Sequence, residues 1–204
     1  MSDKENSLAT RMKENYEFRC NPSLIRRMPV IIRIDGKSFR TYTKNMKKPY
    51  DETLMMLMHV TTLELFKNIQ GAAFAYQQSD EISIFIKDYD SLTTEAWFDY
   101  NLCKMCSIGA SLATSSFDMN RSFLTKMKES ASENNESFIK TYIKPQVNFD
   151  CRAFNLPKEE VVNYFVWRQQ DATRNSIQML GRSCFSQKQL HGKSCEEIQD
   201  MLYK

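Results

Sequence analysis

Two short stretches of alternating residues constrain the fold of this 204-residue chain more than any other feature. The first is VIIRID, residues 30–35, and the second is ISIFIK, residues 82–87; apolar residues recur at every second position in each. A period of two predicts β-strands that turn one face towards a core. Carboxylates stand at one end of each strand, because Asp35 closes the first while Asp80 and Glu81 precede the second. A tight hairpin turn ordinarily prefers glycine or asparagine, so the acidic pair needs a separate explanation.

Segments with helical spacing separate the strands. Helices are predicted over residues 51–69 (with Asp51 as the N-cap), 96–117, 158–180 and 195–203, and further strands over residues 72–77 and 147–157. The resulting order, β-α-β-β-α-β, is that of ferredoxin-like folds, which include polymerase palms. We therefore expect one α+β domain spanning residues 1–204, with a polymerase-palm-like core and additional helices. The polar residues 129–146 are predicted to form a flexible loop.

The composition is that of an ordinary globular protein: 42% of the residues are hydrophobic, 26% are charged, and the formal net charge is +3. This mild positive charge permits a nucleotide or RNA partner without implying one. No run of about 18 apolar residues could span a membrane, and the N-terminus lacks the features of a signal or transit peptide. A cytoplasmic location is therefore expected, with a mitochondrial one left open. Cys103 and Cys106 lack the further ligands that structural zinc needs, so the cysteines are predicted to be buried, reduced thiols.

The three carboxylates are predicted to converge, because the first strand and the central hairpin are neighbours in a β-α-β-β-α-β sheet. Oxygen ligands of this kind suit Mg²⁺, and two bridging aspartates are what phosphoryl transfer by two metal ions needs. Gly36 adds a main-chain carbonyl that a metal or a phosphate could approach closely. The alternative is structural: Asp35 would cap a turn through Gly36, and Asp80 and Glu81 would form a solvated hairpin tip.

Basic and polar side chains offer further candidates. A group after the first strand could hold a triphosphate, or could simply be solvated surface; it comprises Lys37, Arg40, Lys44, Lys47 and Lys48. In the last long helix, Arg168, Asp171 and Asn175 share one face. That face either lines a nucleotide or RNA site, or its arginines pair with Asp171.

Five motifs together resemble those of the tRNA(His) guanylyltransferase superfamily, in the same order and with similar spacing from about residue 8 onwards. They are RIDGKSF, KKPYD, YQQSDEISIF, FDCRAFNLP and NYFVWRQQDATRNSI. That superfamily is built on a polymerase-like palm and adds nucleotides in the 3′-to-5′ direction. The resemblance implies that Asp35, Asp80 and Glu81 are catalytic. It also implies that Asp35, Asp80 and the Gly36 carbonyl bind two Mg²⁺ ions.

The resemblance implies a larger nucleotide site as well. Its members would be Asp35, Gly36, Lys37, Ser38, Phe39, Arg40, Lys48, Ser79, Asp80, Lys104 and Asn175. Three arginines are weaker candidates for RNA contact, namely Arg152, Arg168 and Arg174. The superfamily's Trp-Phe pair, which opens a helix, matches Trp97 and Phe98.

Two departures from the superfamily pattern bear on the activity. A His-Ile-Asn-Asn run follows the Trp-Arg-Gln-x-Asp motif in true tRNA(His) guanylyltransferases, whereas residues 173–176 read TRNS here; Arg40 stands where that branch often has histidine. These departures resemble the guanylyltransferase-like branch, which repairs tRNA 5′ ends by templated addition. The chain also ends short of the C-terminal segment associated with the superfamily.

The resemblance therefore predicts a Mg²⁺-dependent 3′-to-5′ nucleotidyltransferase that repairs the 5′ end of tRNA. Its partners would be tRNA and nucleoside triphosphates, GTP and ATP among them, and it would form a homotetramer. The main alternative is addition of G at position −1 of tRNA(His). A cyclase or a 5′-to-3′ polymerase would use the same acidic pair. A non-catalytic RNA-binding module is disfavoured, because the strand aromatics do not form the usual base-stacking pattern.

Overall fold

The computed structural model describes residues 7–130, 136–143 and 146–203. Its strands are β1 Val30–Gly36, β2 Ala72–Gln78, β3 Glu81–Ile86 and β4 Phe149–Asn155. Its α-helices are α1 Leu8–Met12, α2 Phe39–Tyr42, α3 Glu52–Asn68, α4 Leu102–Ser130, α5 Glu136–Phe138, α6 Glu160–Cys184, α7 Gln187–Leu190 and α8 Cys195–Tyr203. Short 3₁₀ or π segments lie at residues 13–17, 18–20, 43–45, 97–100 and 139–143.

The four strands form one sheet in the order β2-β3-β1-β4, and every neighbouring pair is antiparallel. This order results from a split β-α-β unit, in which β3 inserts between β1 and β2. It confirms the predicted α+β fold class. It also places β1 in the middle of the sheet, between the central hairpin and β4.

One face of the sheet forms the main core with α3 and α4. The apolar residues that alternate along β1 and β3 are fully buried there: Val30, Ile32, Ile34, Ile82, Ile84 and Ile86. Helix α4 approaches closely, since a Cβ on Gly109 would lie 2.9 Å from the Cys151 sulfur of β4. The N-cap prediction for α3 is confirmed, because the Asp51 carboxylate accepts the N–H of Leu54 at 3.0 Å.

Helix α6 covers the opposite face of the sheet. The hydroxyls of Ser83 on β3 and Tyr164 on α6 are hydrogen-bonded at 2.8 Å. The ring of Phe165 packs edge-on against Phe74 of β2, with the ring centroids 4.7 Å apart. The sheet is therefore the middle of three layers, and side chains on both faces of β1 are covered.

The helix predicted over residues 96–117 begins later and ends later. Phe98, Asp99 and Tyr100 have positive φ angles of 51°, 51° and 55°, so the chain cannot continue as a right-handed helix there, and α4 starts at Leu102. An ion pair 2.5 Å long between Arg26 and Asp99 holds this segment against the N-terminal region. The helical spacing of apolar residues in the sequence gave no sign of this left-handed segment.

Part of the predicted loop at residues 129–146 is helical. Residues 129–130 end α4, residues 136–143 form α5 and a π turn, and residues 131–135 and 144–145 lie outside the described residues. The cysteines were predicted to be buried, and that was wrong, because Cys20, Cys103 and Cys184 are exposed and the other three are partly exposed. The prediction of reduced thiols is confirmed, since all six are free. None of the helices in the described ranges is long and apolar enough to cross a membrane.

Candidate active site

The residues predicted to bind metal lie together at one end of the two central strands. Asp35 of β1 is directly opposite Glu81 of β3 and, on its other side, Asp150 of β4. Asp80 lies in the two-residue turn between β2 and β3. The main-chain N–H of Gly36 donates to the carbonyl of Asp80 at 3.1 Å, so this turn is tied to the end of β1.

The two aspartates of the site are partly buried and lie close to other negative charges. Burial raises the pKa of the Asp35 carboxyl, and the charges of Asp150 and Glu81 raise it further. Burial likewise raises the pKa of Asp80, and the negative charge of Asp35 raises it further. Within the described part of the chain, neither Asp35 nor Asp80 forms an ion pair with an arginine or a lysine. Such a pair of carboxylates favours a bound cation.

Glu81 differs from the two aspartates, because two guanidinium groups neutralise it. Nη2 of Arg168 donates to Oε2 of Glu81 at 2.9 Å, and Nε of Arg168 lies 2.7 Å from Oε1. Nη2 of Arg33 reaches the same Oε2 at 2.6 Å. With Oε2 hydrogen-bonded and Oε1 in ion-pair contact with Arg168, Glu81 fixes the start of β3. Its catalytic role stays a prediction.

The buried position of Arg168 corrects its assignment as an RNA-binding residue. Only 3% of its surface is exposed, so RNA could not contact it. Asp171 binds both arginines of this helix face, at 2.8 Å from Arg168 and 2.8 Å from Arg174. The predicted pairing with Asp171 is therefore observed for both arginines. Arg174 and Arg152 remain more than half exposed, and their contact with RNA stays a prediction.

The turn after β1 is tight because Gly36 has no side chain. A Cβ there would lie 2.2 Å from the ring of Phe39, which is buried in the core. Phe39 therefore packs beneath the turn, and its contact with a nucleotide stays a prediction. Ser38 has a left-handed φ of 58°, and the N–H of Lys37 donates to the Asn148 carbonyl at 2.9 Å.

Three of the predicted nucleotide-binding residues line one cavity. Its volume is about 590 Å³, within the usual range for small-molecule sites, and Lys48, Ser79 and Asn175 all border it. The remaining walls are partly apolar, with Met46, Pro49, Tyr50, Leu54, Met55, Met56, Ala172 and Met179, and partly polar, with Thr43, Lys47, Asp51, His59, Gln77, Gln78 and Ser176. Because Ser79 immediately precedes Asp80, the cavity adjoins the acidic turn.

Lys104, Trp97 and Phe98 lie at the other end of the sheet. The hydroxyl of Thr114 on α4 accepts the N–H of Phe149, the β4 residue that pairs with the end of β1. Lys104 is ten residues earlier in the same helix, which is about 15 Å along its axis. Trp97 and Phe98 precede α4 in the short segment at residues 97–100, which turns left-handed from Phe98 onwards, and they do not open the helix. The fold therefore does not bring these three residues to the acidic turn.

Asp150 is the residue of this cluster that the sequence analysis missed. It lies in the FDCRAFNLP motif, and in a β-α-β-β-α-β sheet the last strand pairs with the first. That topology was a sufficient signal, since it sets the ends of β1 and β4 side by side. The carboxylate of Asp150 is half-exposed and makes one ion pair, at 3.3 Å, with Arg152.

The donor atoms at the acidic turn fit Mg²⁺. Asp35 and Asp80 supply carboxylates that form no ion pair with a described residue, and the Gly36 carbonyl is a third hard oxygen. Among the described residues, no group of three or more histidine, cysteine, aspartate or glutamate side chains is arranged to hold a metal by itself. Mg²⁺ commonly takes one or two carboxylates and completes its shell with water and phosphate, so such a group is not required.

Comparison with known proteins identifies the family. The family model for tRNA(His) guanylyltransferase matches residues 9–157, which is most of the chain. The chain belongs to the tRNA(His) guanylyltransferase family. The resemblance drawn from the five motifs is thereby confirmed, and the family, as its name states, is one of nucleotidyltransferases.

Solved structures of family members share this fold. A bacterial tRNA(His) guanylyltransferase-like protein in complex with ATP is 45% identical, with a TM-score of 0.83 over 97% of this chain and 79% of that one. A second such structure, in complex with GTP, is 46% identical, with a TM-score of 0.73 over 87% of this chain and 76% of that one. The Saccharomyces cerevisiae enzyme is 23% identical with a TM-score of 0.68 over 92% of this chain and 81% of that one, which supports the fold alone.

Curated members of the family are longer proteins. tRNA(His) guanylyltransferase 2 of Arabidopsis thaliana is 28% identical over 176 residues, which are 85% of this chain and 29% of the relative. A probable tRNA(His) guanylyltransferase of Dictyostelium discoideum is 29% identical over 157 residues, 76% of this chain and 54% of the relative. The chain thus spans about a third to a half of the length of these two relatives.

Proposed function

We propose that this family member is a Mg²⁺-dependent nucleotidyltransferase that adds guanylate to the 5′ end of tRNA(His). The observation that carries the proposal is a pair of carboxylates, Asp35 and Asp80, that form no ion pair among the described residues and lie beside a cavity lined by Lys48, Ser79 and Asn175. The names of the curated relatives support guanylate as the transferred group and tRNA(His) as the acceptor. The ATP and GTP complexes of similar bacterial proteins support nucleoside triphosphates as partners.

Each residue of the site has a definite task in this reaction, in which the 3′-hydroxyl of a nucleoside triphosphate attacks the α-phosphate of a 5′-activated tRNA. Asp35, Asp80 and the Gly36 carbonyl would hold the metal ions. When bound, Mg²⁺ lowers the pKa of the attacking hydroxyl and neutralises charge on the departing phosphates. Lys48 would bind phosphate oxygens at the mouth of the cavity. The methionines of the cavity offer an apolar surface to a base, and Asn175 offers an amide for hydrogen bonds.

Templated repair of tRNA 5′ ends is the second candidate function. Two observations favour it: the TRNS run at residues 173–176, and 45–46% identity to proteins described as guanylyltransferase-like. Both functions would use the same carboxylates, because both extend RNA from its 5′ end. They differ in the acceptor and in whether the opposite strand selects the base.

A pair of acceptors separates the two functions. One is full-length tRNA(His) transcript, and the other is a different tRNA that lacks its first nucleotide; both carry a 5′-triphosphate and receive each nucleoside triphosphate in turn with Mg²⁺. Addition of G to tRNA(His) alone supports the guanylyltransferase. Addition to the shortened tRNA of only the base complementary to the opposite strand supports repair. Failure to extend either acceptor would contradict both.

The carboxylates are tested by Asp35→Asn and Asp80→Asn, which keep the side-chain shape and remove the charge. We expect each variant to lose nucleotide addition by at least about 10³-fold.

Thermal unfolding tests metal binding at the same carboxylates without measuring nucleotide addition. Mg²⁺ should raise the unfolding midpoint of the parent protein and of neither variant. In EDTA the Asp35→Asn midpoint should exceed that of the parent, because a partly buried charge is removed and its repulsion by Asp150 and Glu81 is relieved. Near-normal addition by either variant would contradict the proposed site.

Assembly is a separate part of the proposal. We infer from the family resemblance that the protein forms a homotetramer, and sedimentation equilibrium of the full chain measures its mass directly. A concentration-independent monomer would contradict this part without affecting the chemistry.

A further inference from the structure

A second and larger cavity lies beside the one that holds Ser79. Its volume is about 950 Å³, and it opens between the segment that follows β1 and the C-terminal end of α6 with α7. Arg40 and Lys48 lie on the first wall, and Arg182 and His191 lie on the second. Arg182 and His191 belong to neither the acidic turn nor the smaller cavity.

The lining of this cavity has an unbalanced positive charge. Of the described residues, three basic side chains and one histidine border it, and none that lines it is an aspartate or glutamate. The Lys48 ammonium donates to the Thr43 carbonyl at 3.1 Å, and Arg182 makes only a long 3.4 Å contact with Gln178. Arg40 forms no ion pair with any described residue. A concave surface with several cations and no counter-charge attracts anions that carry several charges.

The two cavities share a wall. Thr43, Lys48 and Met179 line both of them, so a group bound in the larger cavity lies next to one bound in the smaller. The smaller cavity in turn reaches Ser79, the residue before Asp80. Phosphates held in the larger cavity would therefore lie beside Lys48, next to the cavity that adjoins the acidic turn.

We propose that this cavity binds a triphosphate chain and that Arg182 and His191 supply its C-terminal wall. The proposal rests on the proposed function, and it assigns to α6 and α7 a part in substrate binding. A guanidinium fork can bind two phosphate oxygens at once, an ammonium acts as a point charge, and an imidazole donates one hydrogen bond. The triphosphate belongs either to a free nucleotide or to the 5′ end of the RNA.

Binding of inorganic tripolyphosphate tests the cavity without any transfer reaction. The full chain is titrated by calorimetry at constant ionic strength and in EDTA. We expect Arg182→Gln to weaken binding about tenfold and His191→Gln a few-fold, because each removes a donor to a multiply charged anion. Lys188→Gln is the matched control: Lys188 is exposed on α7 and does not line the cavity, so its loss should change the affinity by less than about twofold.

Steady-state kinetics then identifies the source of the triphosphate. If the cavity holds a free nucleotide, Arg182→Gln raises the KM for GTP on every acceptor. If it holds the RNA end, Arg182→Gln reduces the preference for tRNA with a 5′-triphosphate over the same tRNA with a 5′-monophosphate. A change in neither quantity would overturn the proposal.

The binding experiment tests the triphosphate cavity, and the transfer experiment tests the proposed function, so one proposal can be contradicted without the other. Unchanged tripolyphosphate affinity in the Arg182→Gln/His191→Gln double variant would overturn the triphosphate cavity while nucleotide addition persists. Loss of that affinity in a protein that extends no tRNA would support the cavity and contradict the proposed function.

Discussion

Gly36 shows how a single missing side chain shapes the site. The ring of Phe39 occupies the space where a Cβ would lie, and that ring is enclosed by Tyr42, Phe117 and Phe149 at centroid distances of 5.2, 6.0 and 5.3 Å. The sequence analysis explained Gly36 by close approach of a metal or phosphate. The structure adds a packing reason, because glycine lets the aromatic cluster support the turn that carries the carbonyl.

Gly36→Ala should therefore destabilise the protein. We expect a loss of about 1–3 kcal/mol in the free energy of unfolding, since the ring cannot move without disturbing its neighbours. Urea denaturation measures it. Phe39→Leu is the companion change, and the Gly36→Ala/Phe39→Leu double variant should be less destabilised than the sum of the two single variants. Additive losses would mean that the added methyl group does not act through Phe39.

At the scale of elements, α6 holds the acidic turn in place. Arg168 connects the middle of this helix to Glu81 at the start of β3, and Asp171 orients Arg168 from one turn further along. Tyr76 of β2 donates to the Gln169 side chain at 2.8 Å, so both strands of the hairpin are fixed to the helix. The WRQQD stretch is thus a clamp on the hairpin that presents Asp80.

Substitution of Arg168, the central residue of this clamp, should destabilise the protein. We expect Arg168→Gln to lower the free energy of unfolding by about 3 kcal/mol, because it leaves the buried Glu81 with Arg33 as its remaining partner. Arg174→Gln is the control, since that exposed arginine binds the same Asp171 and should contribute less than about 1 kcal/mol. Both are measured by chemical denaturation.

A double variant separates charge pairing from shape. Arg168→Gln/Glu81→Gln removes both buried charges and should recover much of the stability lost by Arg168→Gln alone. If the double variant is no more stable than the single one, the clamp acts through packing against Trp167, whose ring lies 4.4 Å from the Arg168 guanidinium. In either case nucleotide addition should fall through kcat, because the position of Asp80 changes.

At the scale of the whole molecule, the three-layer arrangement decides which basic residues can meet RNA. Helix α6 buries Arg168 against the sheet and leaves Arg174, six residues later, with its side chain 60% exposed beside the cavity residues Asn175 and Ser176. The net charge of +3 is small, so contact with tRNA phosphates must depend on local groups of this kind.

Arg174→Gln should weaken tRNA binding without abolishing it. We expect the slope of log affinity against log salt concentration to fall by about one, as for the loss of a single phosphate contact. Lys67→Gln is the control, since Lys67 carries the same charge on α3, which packs on the opposite face of the sheet. Filter binding over a range of salt concentrations gives both slopes. Equal slopes for the two variants would place the RNA surface elsewhere.

The element order was available from the sequence because it depends on local patterns. The sequence itself shows the period of two in β1 and β3 and the N-cap residue Asp51 before α3. Where non-local contacts override these patterns, prediction failed. Arg26 and the buried Tyr100 hold a left-handed segment where helical spacing had placed the start of α4.

At the acidic site, too, the sequence predicted some features and tertiary contacts decided the others. By itself, the sequence determined that Asp35 and Asp80 would meet, because strand order follows from the β-α-β-β-α-β pattern and strand ends are fixed by it. Only the tertiary structure decided what each charged group does there. Packing of α6 on the sheet turned Glu81 and Arg168 into a buried pair, and the path of α4 left Lys104 at the far end. Charge and exposure depend on neighbours distant in the chain, and those neighbours are set by folding.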